Sequence, residues 1–197
     1  MPTPTKKQVH DHAALGPLTC FAVNPKGIRF ETQHASEEVV LFLRQHLVVN
    51  VPWIALTALM ILAPTLFFPF FLRWFPLPGV PASYLVVGTV FWYVATFGFA
   101  LANFLYWFFN IYIVTNQRIV DIDFLYLLYK QFSQAELGRI QDITYTTGGI
   151  FAALFDYGNV YIQTAGEFPN LEFEKVPHPS QVVETIRSLA GLEKKPV

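Results

Sequence analysis

Charge is nearly absent from the middle of this chain: between Arg44 and Arg118 the sequence holds one formally charged side chain, Arg73. Arg73 sits in a proline-rich break, so the stretch divides into two apolar runs of membrane-spanning length. The first run, Leu47 to Leu72, would extend about 39 Å as a helix, which exceeds the hydrocarbon core of a bilayer and implies tilt or a kink. Pro52 falls near its start, where a missing amide hydrogen costs little, whereas Pro64 and Pro69 fall where they bend or end a helix. The second run, Ala82 to Phe109, has no internal proline and ends in Tyr106, Trp107, Phe108 and Phe109, side chains suited to the boundary between hydrocarbon and headgroups. Two buried helices of a soluble protein are the alternative. Helices this long in a 197-residue soluble chain need polar faces, and neither run has one. The first run is also too long for the apolar region of a cleavable signal peptide. The expectation is a transmembrane helical hairpin over residues 47–108, with its connector near 73–81.

Residues 1–46 read as a cytoplasmic N-terminal tail, a small hairpin and a juxtamembrane helix. The opening Met1-Pro-Thr-Pro-Thr-Lys-Lys is polar and low in core-forming residues. The hairpin runs from Phe21 to Thr32 around Asn24-Pro-Lys-Gly27, with Ile28, Phe30 and Phe21 packing on the domain that follows the membrane. The helix starts near Ser36, whose hydroxyl precedes Glu37 and Glu38 in the first turn, and runs on into the first span. Lys6, Lys7, Lys26, Arg29 and Arg44 before the first span, and Arg118 and Lys130 after the second, outweigh Arg73 in the connector. That bias places both termini in the cytoplasm of a multi-pass protein of the inner (cytoplasmic) membrane. The lone Cys20 suits that compartment.

From residue 109 to 197 the apolar period changes from helix to strand. Ile111 to Thr115, Arg118 to Asp123, Leu127 to Ser133, Ile140 to Thr146, Asn159 to Thr164 and Leu171 to Val176 read as strands, punctuated by Asn116-Gln117, Gly138, Gly148-Gly149, Asp156-Tyr-Gly158 and Ala165-Gly166. Pro179 and Ser180 then introduce Gln181 to Leu189, where Val182, Val183, Ile186 and Leu189 recur at helical spacing. Short strands closed by one amphipathic helix suggest a strongly bent sheet or partly open barrel with the helix over one end.

Four pieces in order, Tyr112-Ile-Val-Thr-Asn-Gln-Arg-Ile119, Ile140-Gln-Asp-Ile-Thr-Tyr-Thr-Thr-Gly-Gly-Ile150, Phe155-Asp-Tyr-Gly-Asn-Val-Tyr-Ile-Gln-Thr-Ala-Gly166 and Val176-Pro-His-Pro179, resemble the bacterial pleckstrin-homology domains of the membrane-flanked type, formerly a domain of unknown function. Upstream, Glu38-Val-Val-Leu-Phe-Leu-Arg-Gln-His46 is similar to the segment that precedes the first span in that family. The resemblance covers about residues 36 to 190. It implies a seven-stranded, two-sheet pleckstrin-homology (PH) barrel capped by a C-terminal helix. Six strands are placed above; the seventh falls within Phe151 to Phe155 or in a different division of residues 118 to 133. The fold class expected is thus two transmembrane α-helices forming a hairpin, followed by a cytoplasmic PH-like antiparallel β-barrel with a C-terminal helical cap.

The recurring positions suit turns and contacts rather than chemistry. Asn116 can take a conformation most residues avoid and bond to local backbone. Gly148 and Gly149 permit a tight turn or bulge, and Gly158-Asn159 opens the next strand. No Lys-Ser/Thr follows these glycines, which excludes a phosphate-binding loop. Arg118 can hold lipid phosphate or pair with Asp142. Arg44 and His46 do not share a helix face and serve headgroups or the soluble domain rather than one catalytic pair. Ile150-Phe-Ala-Ala-Leu-Phe155 either loops outward, with Ile150, Phe151 and Phe155 touching bilayer or partner, or turns inward as core.

Nothing in the chain makes an enzymatic site: Cys20 is isolated, the five histidines lack metal-hydrolase or triad spacing, and His10-Asp11-His12 reads as solvated tail. Asp121 and Asp123 share a strand face that reads as solvated, and Asp156 supports the turn before Gly158. No catalytic residue, metal or cofactor is expected. Residues 109–197 hold seven Lys or Arg against ten Asp or Glu, a net −3 that argues against nucleic acid and against a default attraction to anionic lipid. In the second span Gly88, Ala95 and Ala102 recur every seven residues, with Gly98 nearby, a stripe that lets another helix approach closely. The first span of the same chain is the favoured occupant; a homo-oligomer or another membrane protein is the alternative. The functional expectation is a non-enzymatic membrane-anchored interaction module, a scaffold or accessory subunit. Lipid sensing is the alternative, and small-solute transport a weaker one, since two spans without buried charge offer few means of moving a polar solute.

Overall fold

A computed structural model describes residues 16–25, 27–28, 30, 32–34, 36–74, 81–125, 129–165 and 171–192. Lys6, Lys7, His10-Asp11-His12, Lys26, Arg29, the connector at 75–80, Leu127 and Gly166 lie outside the described residues. The elements in chain order are β1 (Phe21–Val23), β2 (Val39–Arg44), α1 (Val51–Trp74), α2 (Ala82–Phe109), β3 (Ile111–Thr115), β4 (Arg118–Leu125), β5 (Tyr129–Glu136), β6 (Ile140–Thr146), α3 (Ile150–Phe155), β7 (Tyr157–Thr164), β8 (Leu171–Pro177) and α4 (Pro179–Leu189). Single 3-10 turns at Leu47–Asn50 and Leu137–Arg139 lead into α1 and β6.

The strands form two antiparallel sheets, β1-β2-β3-β4-β5 and β6-β7-β8. No strand pair joins them among the described residues, so the two sheets expected for a PH-like fold are present and the arrangement is an open two-sheet sandwich rather than a closed barrel. The two sheets and α4 enclose one core, in which Leu41, Leu43, Val114 and Ile119 of the first sheet meet Ile143, Val160, Ile162 and Phe173 of the second and Val182 and Ile186 of α4. In β7 the inward Val160 and Ile162 alternate with the outward Asn159 and Tyr161, and α4 presents its apolar stripe to the end of the sandwich.

The expected juxtamembrane helix is a strand. Val39–Arg44 forms β2, paired with β3 from Val39↔Thr115 to Arg44↔Ile111. A run of apolar residues this short has no period that separates helix from strand, and it is nearly all apolar because both faces of β2 are covered. Leu41 and Leu43 enter the main core, while Val39 and Phe42 join Ala22, Ile113 and Val120 in a second cluster under Ile28 and Phe30. Asn24 and Gly27 do turn the chain with positive φ, but β1 pairs with β2, Phe21 opposite Leu43, rather than with Ile28, Phe30 or Thr32, the described residues beyond the turn. Two strands therefore lie outside the six placed from sequence, β1, within the segment expected as a small hairpin, and β2, both upstream of the helices. Phe151–Phe155 lies in helix α3.

The chain thus leaves the first sheet through β2, runs out along α1, returns along α2 and re-enters the same sheet through β3. Two windows, Leu47–Phe70 and Ser83–Phe109, have mean hydropathy 2.0 and 1.9, long and apolar enough to cross a membrane. Only 11% and 6% of those windows is buried by the rest of the protein, unlike core helices of a soluble domain. Pro64 and Pro69 lie inside α1, which continues to Trp74. Pro64 has no N–H to offer the Met60 carbonyl one turn back. The Trp92 indole N–H of α2 donates to that carbonyl instead, at 2.8 Å, and the Tyr93 hydroxyl reaches the Ile61 carbonyl at 3.4 Å.

Candidate functional site

The root of the helical hairpin gathers several candidate residues. Arg44, at the end of β2, is 5% exposed. Its guanidinium carbon lies 5.5, 5.2 and 4.7 Å from the ring centres of Phe42, Trp107 and Phe108, and Nη1 donates to the Pro17 carbonyl at 2.9 Å. The π faces meet its charge where water does not. Burial pushes its pKa down, against the opposing influence of Cys20. The Trp107 indole donates to the Gln45 carbonyl at 2.9 Å, tying the end of α2 to the chain just ahead of α1.

His46 caps the turn that opens α1, its Nδ1 accepting the Val48 N–H at 3.2 Å. Its ring stacks on Tyr157 at 5.5 Å and lies 6.3 Å from Phe155, while the His46 backbone N–H donates to the Lys175 carbonyl at 2.8 Å and ties the end of the first sheet to the second. Burial, with His178 nearby, lowers its pKa from 6.5, against the pull of Asp156. Neutral imidazole keeps the lone pair that the cap requires. Asp156 takes a left-handed conformation at the end of α3 and pairs with His178, itself left-handed ahead of α4. Gly149, with φ of +90°, starts α3. Within α3, Ala152 packs on the domain, while Ile150, Phe151 and Leu154 are 85%, 69% and 72% exposed and Phe155 is partly so. The segment loops outward.

Arg118 sits at the other end of the sandwich. It forms a two-pronged ion pair with Glu37, Nε to Oε1 at 2.9 Å and Nη2 to Oε2 at 3.0 Å, and also donates to the Gln134 side chain and the Thr32 carbonyl. The Glu37 carboxylate is fully buried. Burial alone would raise its pKa; the bonds from Arg118, the His34 N–H and the Thr115 hydroxyl outweigh it and hold the pKa below the ordinary value. The expected pair with Asp142 is not formed, because Asp142 lies 3.7 Å from Arg187. Asp121 is buried rather than solvated, and the Asp123 side chain lies outside the described residues.

The turn residues act at longer range than expected. Asn116 is not left-handed; its side-chain oxygen accepts the Glu38 N–H at 3.1 Å, stitching the β3–β4 turn to the segment before β2. Asn159 holds an irregular stretch of β8, accepting the N–H of Lys175 at 2.9 Å where that residue has φ of +50°. Gly158 is required by contact, since a Cβ there would lie 2.5 Å from the Thr146 carbonyl oxygen. Gly148 has open space around it.

The small-residue stripe does not face α1. Gly88, Ala95, Gly98 and Ala102 are all exposed, and Cβ atoms added at Gly88 and Gly98 would meet nothing within 4 Å. The less exposed face of α2 carries Thr89, Thr96 and Asn103, each bonded to the carbonyl one turn back. Their polar atoms are satisfied inside the helix, so this face can stand in apolar surroundings. The expected intrachain use of the stripe is thereby corrected.

The candidates therefore fall in three places: Arg44, His46 and Phe155 at the hairpin root, Arg118 and Asn116 at the far end, and the stripe on the outer face of α2. A groove of 1050 Å³ opens at the far end, lined by His34, Arg118, Gln134, Glu136, Arg139 and Leu171. Arg118 is already committed to Glu37 there. Among the described residues no group of three or more His, Cys, Asp or Glu could hold a metal ion. Sequence reasoning missed Glu37, Trp92 and Tyr157. Pro64 carried a usable signal for Trp92, because a proline inside an apolar helix frees a carbonyl that needs a donor from a neighbour.

No family model matches the chain, and no curated protein matches it either. Among solved structures, the chain is similar to the crystal structure of a DUF1696 family protein with a pleckstrin-homology domain from Shewanella loihica PV-4. The TM-score is 0.34 at 18% identity, over 41% of this chain and 70% of that one. A likeness at this level identifies no family for the chain.

Proposed function

We propose that this chain is a non-enzymatic, membrane-anchored interaction module, a scaffold or accessory subunit of a membrane protein complex. Its helical hairpin crosses the inner membrane, and its PH-like sandwich lies against the cytoplasmic surface with both termini on that side. The observation that carries the reading is the insertion of two exposed apolar helices between β2 and β3, adjacent strands of one sheet. A domain entered and left through neighbouring strands is held against the membrane, without the free linker a tethered domain would have. Trp107 and the buried Arg44 brace that junction.

Single cysteines at Thr5, Leu77 and Ala190, in a Cys20→Ser background, test the topology through a membrane-impermeant thiol reagent. Leu77 should label from the side opposite to the other two; labelling of all three from one side sinks the orientation. Native mass spectrometry after gentle detergent extraction tests the role. Recovery with a second membrane protein is expected, whereas a solitary monomer that turns over a small molecule reverses the reading. The exposed apolar face of α3 favours lipid contact as a second reading. Headgroup dependence should be measured on the full chain, because a fragment beginning at residue 109 lacks β2 and with it Leu41 and Leu43 of the core.

A further inference from the structure

We infer that α3 is an interfacial anchor, a short helix whose exposed apolar face enters the headgroup and upper acyl region of the same bilayer that holds the hairpin. The inference rests on the hairpin spanning a membrane. At 3.6 residues per turn, Ile150, Phe151, Leu154 and Phe155 fall within an arc of about 140° on one side of α3. Ala152 lies on the other side and is buried against the domain, so the orientation of the helix is fixed with its large side chains outward. From Ile143 to Phe155 the sequence holds no Asp, Glu, Lys or Arg, and Tyr145, near the end of β6 that leads into α3, is exposed as well. An apolar tip with a tyrosine beside it fits the boundary layer of a membrane.

Position selects the bilayer as occupant. Phe155 lies 6.3 Å from the His46 ring, and Tyr157 stacks on it. His46 caps the turn from which α1 departs, and Leu47, Val51 and Ile54 just beyond it are themselves exposed apolar residues. The apolar face of α3 is therefore continuous with the root of α1. A membrane that receives α1 from this level meets α3 beside it, which gives the sandwich a second attachment next to the hairpin root.

The test uses the full chain in nanodiscs, with Cys20→Ser and an environment-sensitive fluorophore on one introduced cysteine at a time: Phe151→Cys on α3, Phe97→Cys on α2 and Glu184→Cys on α4 as an aqueous reference. Quenching is read with lipids spin-labelled high or deep in the acyl chain and with aqueous iodide. The expected result is quenching of the 151 label by the shallow spin label, with iodide access reduced several-fold below that at 184, while the 97 label responds to the deep one. Adding Ile150→Ser and Leu154→Ser should return iodide access at 151 and leave the 97 signal unchanged. If 97 is quenched and 151 stays open to iodide, the anchor is overturned and the span stands. If 151 is shielded from both quenchers, protein covers it and the anchor is likewise overturned. If 97 is not quenched by lipid, the spanning reading itself fails.

Discussion

Trp92→Phe is expected to destabilise the hairpin chiefly by removing one hydrogen bond, and the size of the loss can be worked from Pro64. In α1 the Met60 carbonyl has no donor at position 64 and accepts the Trp92 indole at 2.8 Å instead. Phenylalanine keeps most of the apolar contact and deletes the donor. Leaving a buried polar group unpaired costs about 1–3 kcal/mol in general, and side-chain hydrogen bonds between membrane helices average about 0.6 with a maximum near 1.7 kcal/mol. The expected cost of Trp92→Phe is about 1–2 kcal/mol, toward the upper end because the carbonyl has no helical donor to fall back on. Pro64→Ala supplies the missing amide, which can close the ordinary bond to Met60. In that background Trp92→Phe should cost only its packing difference. A double-mutant cycle on reversible unfolding in mixed micelles should therefore give a coupling of about 1 kcal/mol, roughly fivefold in the equilibrium constant. An equal cost of Trp92→Phe in both backgrounds would refute the reasoning.

Three further outcomes follow from contacts already described. Thr96→Leu, at a site 3% exposed, should destabilise the helix pair by about 1–3 kcal/mol through overpacking, whereas Ala95→Leu on the exposed face should stay within about 0.5 kcal/mol; thermal melts that reverse this order would place α1 on the other face. Gly158→Ala should cost about 1–3 kcal/mol, since its Cβ would lie 2.5 Å from the Thr146 carbonyl oxygen and backbone must shift, measurable as a drop in the unfolding midpoint. Stability should fall with acid in two windows. His46 has a folded pKa below its ordinary 6.5, so the unfolded chain takes up the proton first and stability declines as pH drops below about 6.5. Glu37, also lowered, keeps its contribution above the ordinary carboxylate value of 4.5 and loses it as pH falls through its lower folded value. His46→Asn, which can still accept the Val48 N–H, should flatten the upper window in melts from pH 7.5 down to about 2.5 and leave the lower one.

The sequence by itself determined the elements whose signal is local and long. Charge exclusion between Arg44 and Arg118 marked both helices, because a run of more than twenty apolar residues has few structural outcomes. Period-two apolar patterns and turn residues marked β3, β4, β6, β7 and β8, and the spacing of Val182, Val183, Ile186 and Leu189 marked α4. Tertiary structure alone decided β2, the partner of Arg118 and the face of α2 that meets α1. Val39–Arg44 pairs with Ile111–Thr115 across the whole hairpin, and Glu37 reaches Arg118 across 81 positions. Apolar residues in so short a run satisfy helix and strand alike, and a carboxylate beside a helix-capping serine looks like a first-turn residue until its ion-pair partner is known. The face of α2 was misread because small side chains permit close approach without requiring it, while the carbonyl freed by Pro64 required a donor and drew Trp92 toward α1. Local sequence fixes which backbone states are available; contacts between residues far apart in the chain choose among them, because only there are the second faces of strands buried and charges paired.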